Sequence, residues 1–192
     1  QAYLPIGGES AFNGTLSGTV QNLNSDNEII SSRYKITIDV NNTVTITDGS
    51  GTGTVYAGLF ARLGSDAVIS DLDIDATFNT SQFSSTSSGG LYIGAIAGAN
   101  EGGRIAGVNV VLIGGSDITF NSNNISTNIN FGGMVGSNSG YIDLESGSIS
   151  CDATISINTY VGRQHNIGLV AGRNTGEIFG AYLGKDSLNN VN

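Results

Sequence analysis

Three aspartates at alternate positions form the densest cluster of candidate metal ligands in the chain. Asp71, Asp73 and Asp75 fall in a segment in which they alternate with Leu72 and Ile74. Residues two apart share one face of a β-strand, so the three carboxylates would point the same way. Such oxygen ligands could hold a hard cation such as Ca²⁺. Without further carboxylates at the equivalent positions of the next repeat, Gly107, Asn109 and Val111, the three aspartates would form a solvated outer face. Because no EF-hand loop is present, the solvated face is favoured and a calcium site is the alternative.

The other reactive side chains argue against catalysis. His165 is the only histidine in the chain, so a zinc site or a histidine-based triad would lack its usual members. It falls in a polar stretch, which predicts a surface loop. Cys151 is the only cysteine, which excludes an intramolecular disulfide, and the alternation around it predicts a small, half-buried side chain. The sequence therefore predicts a protein that is not an enzyme and needs no cofactor.

Composition and charge exclude several partners. Only 12% of the residues are charged and the net charge is −9, with seven scattered basic residues. Nucleic acid and anionic lipid both require a basic patch, so neither is expected as a partner. No apolar run is long enough to cross a bilayer, so membrane insertion is not expected either. The single proline and the many β-branched residues favour ordered β structure over disorder.

Four Asn-x-Ser/Thr sequons would be acceptors for N-glycosylation in a secreted glycoprotein. They begin at Asn13, Asn41, Asn79 and Asn124. The last two lie in polar stretches, which predict loops over residues 79–90 and 121–130 that project from the body of the protein.

Four segments of the chain share a pattern of small and apolar residues around a glycine. They are Tyr56–Ala61, Tyr92–Gly98, Phe131–Gly136 and Ile167–Gly172, and we align their anchor glycines as Gly58, Gly94, Gly133 and Gly168. The glycines recur about every 36 residues, within the range of solenoid repeats. One segment of that length cannot bury its apolar face alone, whereas stacked copies bury one continuous core.

A second pattern, Gly-x-Asn-x-Gly with an isoleucine after it, follows three of these segments. Its asparagines are Asn100, Asn138 and Asn174. Glycine and asparagine tolerate positive φ, so the pattern predicts a tight turn between two strands. Alternating segments such as Lys35–Val40 and Ile69–Asp75 predict the strands themselves. Stacked copies would align the three asparagines as a structural ladder, with side-chain amides bonded from coil to coil.

These features predict an all-β protein, a right-handed parallel β-helix (β-solenoid) of about four to five coils. Residues 1–55 would form a capping region at the start of the solenoid, and residues 56–184 its coils. Residues 185–192 would be a polar tail or the start of a further coil.

The series of motifs resembles the GLUG-motif β-helix repeats. The best copy is Ile167–Ile178, and Leu4–Gly18 resembles the segment that commonly precedes such repeats. In that family the repeats occur in large bacterial surface proteins, including adhesins and filamentous-haemagglutinin-like exoproteins. The resemblance covers residues 4–184 in patches, and it implies a β-helix in an extracellular or cell-surface location without specifying a ligand. Residues 20–28 replace the family's Gly-rich stretch, which leaves the path of residues 20–55 open.

Two classes of function fit this architecture. The first is a structural surface element, either a filament subunit or a stalk segment. Uncapped solenoid ends expose strands that can pair, so such subunits could associate end to end. The second is an adhesin module that binds a host protein or glycan through the loops at 79–90 and 121–130.

Overall fold

Strands form where apolar residues occupy every second position. In the strand Leu72–Phe78, every second side chain is buried and those between are half-buried, and Asn109–Leu112 repeats this alternation. The period of two follows from the pleat of a strand, which turns successive side chains to opposite faces. The computed structural model describes residues 4–47, 53–80, 83, 89–114, 118–121, 127–158 and 163–180. These residues are all-β, essentially without helix.

The strands fall into an N-terminal group and successive turns of the chain. The N-terminal group is β1 (Thr15–Ser17), β2 (Thr19–Leu23), β3 (Ile29–Val40) and β4 (Val44–Thr47). The first turn contains β5 (Gly53–Ala57), β6 (Phe60–Leu63), β7 (Val68–Ser70) and β8 (Leu72–Phe78). The second contains β9 (Leu91–Ile93), β10 (Ala97–Asn100), β11 (Arg104–Ala106), β12 (Asn109–Leu112) and β13 (Ile118–Asn121). The third contains β14 (Ile129–Gly132), β15 (Val135–Asn138), β16 (Tyr141–Asp143), β17 (Ser148–Cys151) and β18 (Ile155–Asn158). The last strands are β19 (His165–Gly168), β20 (Ala171–Asn174) and β21 (Glu177–Phe179).

Equivalent strands of successive turns pair in parallel, which makes the fold a β-solenoid of about three turns. The sheets have the strand orders β20-β15-β10-β6, β1-β7-β11-β16-β21, β17-β12-β8-β3-β2, β19-β14-β9-β5-β4 and β13-β18. Parallel neighbours in each sheet are distant in sequence because the chain completes a turn before it returns above its earlier path. The predicted all-β solenoid with stacked parallel strands is thus confirmed.

The N-terminal group departs from this regular stacking. Strand β1 pairs in parallel with β7, and the C-terminal part of β3 pairs in parallel with β8. Strand β2 is antiparallel to the N-terminal part of β3, and β4 is antiparallel to β5. Antiparallel strands therefore form the N-terminal edge of two of the sheets.

Inside the solenoid, equivalent apolar residues lie over one another. Ile69, Ile105 and Ile142 pair in register and are at most 1% exposed. Burial of one such side chain contributes about 1.5–3 kcal/mol. Elsewhere in the core, the Phe131 ring lies edge-on to two other phenylalanine rings, at 5.2 and 5.7 Å between centroids. The core is therefore a stack of matched columns.

At one corner of the solenoid, the backbone is left-handed after three strands of the same sheet. Asp71 (φ 55°), Gly107 (φ 64°) and Gly180 (φ 71°) directly follow β7, β11 and β21, which belong to one sheet. Glycine adopts this region freely, and aspartate tolerates it better than most residues. Asp71 therefore lies at a bend, and the regular alternation of β8 begins only at Leu72.

Candidate functional site

The asparagines of the turn motif form a hydrogen-bonded ladder. Asn100, Asn138 and Asn174 pair in register. Asn100 Nδ2 donates to Asn138 Oδ1 at 2.8 Å, and Asn138 Nδ2 donates to Asn174 Oδ1 at 2.8 Å. Asn100 and Asn138 are each 1% exposed, so these bonds form away from water. The ladder joins successive turns at one corner by hydrogen bonds between side chains, which is a structural role.

The ladder stops at its N-terminal end. In the first turn Leu63 is in register with Asn100, and a leucine side chain cannot donate a hydrogen bond. The side-chain amide oxygen Oδ1 of Asn100 is buried, and no hydrogen bond to it is found among the described residues. A buried acceptor without a partner costs about 1–3 kcal/mol, so this rung is less favourable than the next.

The anchor glycines lie where the backbone of their own turn or of the next turn leaves no room for a side chain. Gly132, and not Gly133, pairs with Gly168, so the predicted alignment is wrong by one residue in the third turn. A Cβ on Gly132 would lie 1.9 Å from the carbonyl oxygen of Val135, and one on Gly168 would lie 2.1 Å from that of Ala171. The error arose because Gly132 and Gly133 are adjacent and only pairing distinguishes them. Glycine is needed in this column because a side chain would strike backbone.

The same is true of the anchors in the first two turns. A Cβ on Gly58 would lie 2.5 Å from the carbonyl oxygen of Gly94, and one on Gly94 would lie 2.5 Å from that of Met134. Gly58 also has a φ of 152°, near the limit of the region that favours glycine.

The acidic residues of β8 bond to the neighbouring turns. Arg33 Nη1 lies 3.8 Å from Asp73 Oδ1, and Asn109 Nδ2 donates to that oxygen at 2.7 Å. Asp75 forms an ion pair with Lys35. Both carboxylates are thus used in contacts between strands. Among the described residues, no three His, Cys, Asp or Glu side chains are grouped so as to hold a metal ion.

Asp71, the third member of the acidic cluster, contacts the turn above it. A Cβ placed on Gly107 would lie 2.7 Å from Asp71 Oδ1, so the carboxylate lies against that glycine. The predicted calcium site requires all three carboxylates to lie on one strand. Asp71 lies at the bend before β8, so it does not continue the strand of Asp73 and Asp75.

A groove of about 280 Å³ lies on the outside of the solenoid. One side is formed by Tyr56 on β5 and Tyr92 on β9, which are in register and stack with 5.5 Å between ring centroids. The other side includes Ser137 and Arg173 from the β20-β15-β10-β6 sheet. The two sides approach closely because β10 has a glycine here. A Cβ on Gly98 would lie 2.9 Å from Cβ of Tyr56.

The charges around the groove are mixed. Arg62 Nη1 lies 3.4 Å from Glu101 Oε2, and Arg62 Nη2 donates to the carbonyl oxygen of Glu9 at 3.0 Å. Burial raises the pKa of Tyr56 above its ordinary value of 10.0, and the nearby carboxylate of Glu101 raises it further. Tyr56 is therefore a neutral phenol over the physiological pH range.

Sequence reasoning missed this groove, although its signal was present. Both tyrosines begin a copy of the repeat, two residues before an anchor glycine. Once Gly58 and Gly94 are aligned, the tyrosines must lie one above the other on an outer face.

The lone histidine and the lone cysteine both lie in strands. His165 is the first residue of β19 and pairs with the buried residue Ile129 of β14, so the predicted surface loop is wrong. Burial lowers the pKa of its imidazole below the ordinary value of 6.5. Cys151 ends β17, is half-buried, and its Sγ lies 3.3 Å from the carbonyl oxygen of Ala153.

The sequons and loops have different surroundings. Asn13 is exposed and Asn41 is half-buried, with Nδ2 of Asn41 donating to Asp39 Oδ2 at 3.0 Å. Asn79 is exposed at the end of β8, whereas Asn124 lies outside the described residues. Most of the loops 79–90 and 121–130, and all of residues 185–192, also lie outside them. Glycosylation of the four sequons remains a prediction.

The chain was compared with protein-family models, with curated proteins and with solved structures, and none of them matches it. In the part of the chain that the structure describes, no helix is long and apolar enough to cross a membrane.

Proposed function

We propose that this chain is a non-catalytic scaffold segment of an extracellular or cell-surface protein, related to the GLUG-type β-helices. The observation that carries the proposal is the continuity of bonding from turn to turn. Backbone pairing runs through every turn, and the buried ladder Asn100–Asn138–Asn174 adds side-chain bonds along the same direction. A structure bonded in this way resists extension and bending along its axis.

The finer architecture is part of this proposal. We take the solenoid as right-handed because crossovers between parallel strands are right-handed in about 98% of cases. A total of four to five coils would include the partial turns on both sides of the three, which are β1 with β3 and β19 with β21.

Of the two structural roles, a stalk segment is better supported than a filament subunit. Strands β2 and β4 are antiparallel to their neighbours and form the N-terminal edge of two sheets. A second copy that added its parallel strands at this end would meet strands of the opposite direction. End-to-end association is therefore hindered there. The outer side of β6 is also covered by parallel bridges from Ile6 and Phe12, so of the four-stranded and five-stranded sheets described, the one that ends in β1 is open at this end.

Negative-stain microscopy over a concentration series, with mass from light scattering, tests the role. Rod-shaped monomers at every concentration are expected for a stalk. Fibres with a repeat of one subunit length would establish the filament instead. Compact or flexible particles without a constant long axis would contradict the scaffold itself.

Location is tested separately. An antibody raised against the folded chain should label intact cells of the source organism as strongly as permeabilised cells. Labelling only after permeabilisation would contradict a surface location.

A further inference from the structure

We propose that the groove between Tyr56, Tyr92 and the β20-β15-β10-β6 sheet binds a neutral oligosaccharide. This activity goes beyond a scaffold function and is independent of the loops at 79–90 and 121–130. It rests on the shape of the groove, on the aromatic rings at its side and on the polar groups around them.

The aromatic side is a platform of limited length. Tyr56 and Tyr92 stack with their ring planes 25° apart, and the next residue in register is Asn130. Asn166 continues the column by donating from Nδ2 to Asn130 Oδ1 at 2.7 Å. Asn130 is only 5% exposed, so the amide pair is buried and the tyrosines are the part of this column that lines the groove. A pyranose ring presents a C–H face that packs on an aromatic ring, which matches this platform.

The opposite side supplies hydroxyls with free lone pairs. Ser139 Oγ donates to the carbonyl oxygen of Asn100 at 3.1 Å, and Thr175 Oγ1 donates to that of Asn138 at 3.3 Å. Each hydroxyl has then used its one proton and retains oxygen lone pairs that accept from a ligand. Both residues line the groove together with Arg173, whose guanidinium can only donate. Fixed acceptors beside a fixed donor suit sugar hydroxyls, which act as both.

Two other ligand classes fit less well. A peptide that binds by strand addition needs an open sheet edge. Strands β5, β9, β10 and β15 already pair with neighbours on both sides, and of the described strands that form this groove β20 alone lies at the end of its sheet. A polyanionic glycan would approach a chain of net charge −9, and the groove itself contains the carboxylate of Glu101 beside the single arginine of its described lining, Arg173. The volume of about 280 Å³ is near the lower end for small-molecule sites, so the groove suits one or a few sugar units.

The test is a binding titration with neutral hexasaccharides of β-linked glucose, β-linked N-acetylglucosamine and α-linked mannose, with heparin as the polyanion. The chain contains no tryptophan and seven tyrosines, so the part of the tyrosine fluorescence change that is lost in Tyr92→Ala reports on the platform, and calorimetry gives an independent affinity. At least one neutral hexasaccharide should bind, and Tyr92→Ala should weaken it at least tenfold. Tyr92→Phe should bind within about threefold of the wild type because it keeps the ring.

Two further variants separate binding from folding. Tyr141→Ala is the matched control, since Tyr141 is also a half-buried tyrosine on an outer face but contacts Arg104 on another sheet. Ser137→Arg fills the groove with a residue type that this column already has at Arg62 and Arg173 in the first and last turns. It should abolish binding while the circular dichroism spectrum stays unchanged. Absence of binding by all three neutral sugars, equal losses in Tyr92→Ala and Tyr141→Ala, or a preference for heparin would each overturn the proposal.

Discussion

Replacing Asn138 with alanine should destabilise the protein far more than the same change at either a ladder end or a surface position. Asn138 is the middle rung, it is 1% exposed, and it takes part in both ladder bonds of 2.8 Å. Its Oδ1 also accepts from the backbone N–H of Gly140 at 3.3 Å. Removal of the side chain therefore affects three turns at once.

The magnitude follows from these bonds. Each ladder bond contributes about 1 kcal/mol, and leaving the Gly140 N–H unpaired adds about 1 kcal/mol more. The expected loss in the free energy of unfolding is thus about 3 kcal/mol, or roughly 6–12 °C in Tm for a chain of this size. Asn174→Ala breaks one ladder bond at an exposed residue, so about 1 kcal/mol is expected.

Urea unfolding followed by far-UV circular dichroism measures both losses, with Asn22→Ala as a control. Asn22 is exposed on β2, so its replacement should change the free energy of unfolding by less than about 0.5 kcal/mol. If Asn138→Ala costs no more than Asn174→Ala, the ladder does not stabilise the solenoid and the reasoning from its geometry is wrong. If the slope of the free energy with urea also changes, turns unfold separately and the values must be fitted turn by turn.

Three other perturbations test separate features of the fold. Gly136→Ala should lower the free energy of unfolding in urea by about 3 kcal/mol or more, because its Cβ would lie 2.5 Å from both Gly98 O and Ile93 N. Gly8→Ala is the control and should be neutral, since no atom lies nearer than 3.4 Å to its Cβ. Equal losses in the two variants would refute the steric argument. Asp71→Val should lower Tm relative to Asp71→Gly by the equivalent of about 1–2 kcal/mol, since φ is 55° there, and identical Tm values would show that the bend relaxes. His165 has a lowered folded-state pKa, so the unfolded chain binds the proton more tightly, and stability should fall as the pH decreases through 6.5 and level off below the folded pKa. His165→Asn should flatten that part of the pH profile, and a profile with the same slope would refute it.

The repeat motif predicted those parts of the fold that depend on columns of identical residues. The turn pattern around Asn100, Asn138 and Asn174 marks equivalent positions unambiguously, and the structure pairs these residues in register. The period-two segment at β8 was equally clear, because alternate burial needs alternate apolar residues.

Other features could not be derived from the motifs. The antiparallel pairing of β2 and β4 has no copy elsewhere in the chain, so no internal comparison could indicate it. The polar residues around His165 predict a loop, yet strand pairing with Ile129 brings it into β19. For His165, pairing between residues distant in sequence decides the structure, and the neighbouring residues do not indicate it.

The groove and the ladder follow from the same property of a solenoid. In each column a residue type is repeated only while the neighbouring turn requires it. Position 98 needs a glycine because a Cβ there would lie 2.9 Å from Cβ of Tyr56. Leu63 stands in the first turn where later turns have asparagine, and Asn100 Oδ1 therefore has no hydrogen-bond donor among the described residues. A column that changes type therefore marks either the end of a structural device or a surface with another purpose. Beyond Tyr92 the column continues as the amide pair of Asn130 and Asn166, whereas Tyr56 and Tyr92 line the groove, and this is why we assign the tyrosine part of the column to ligand binding.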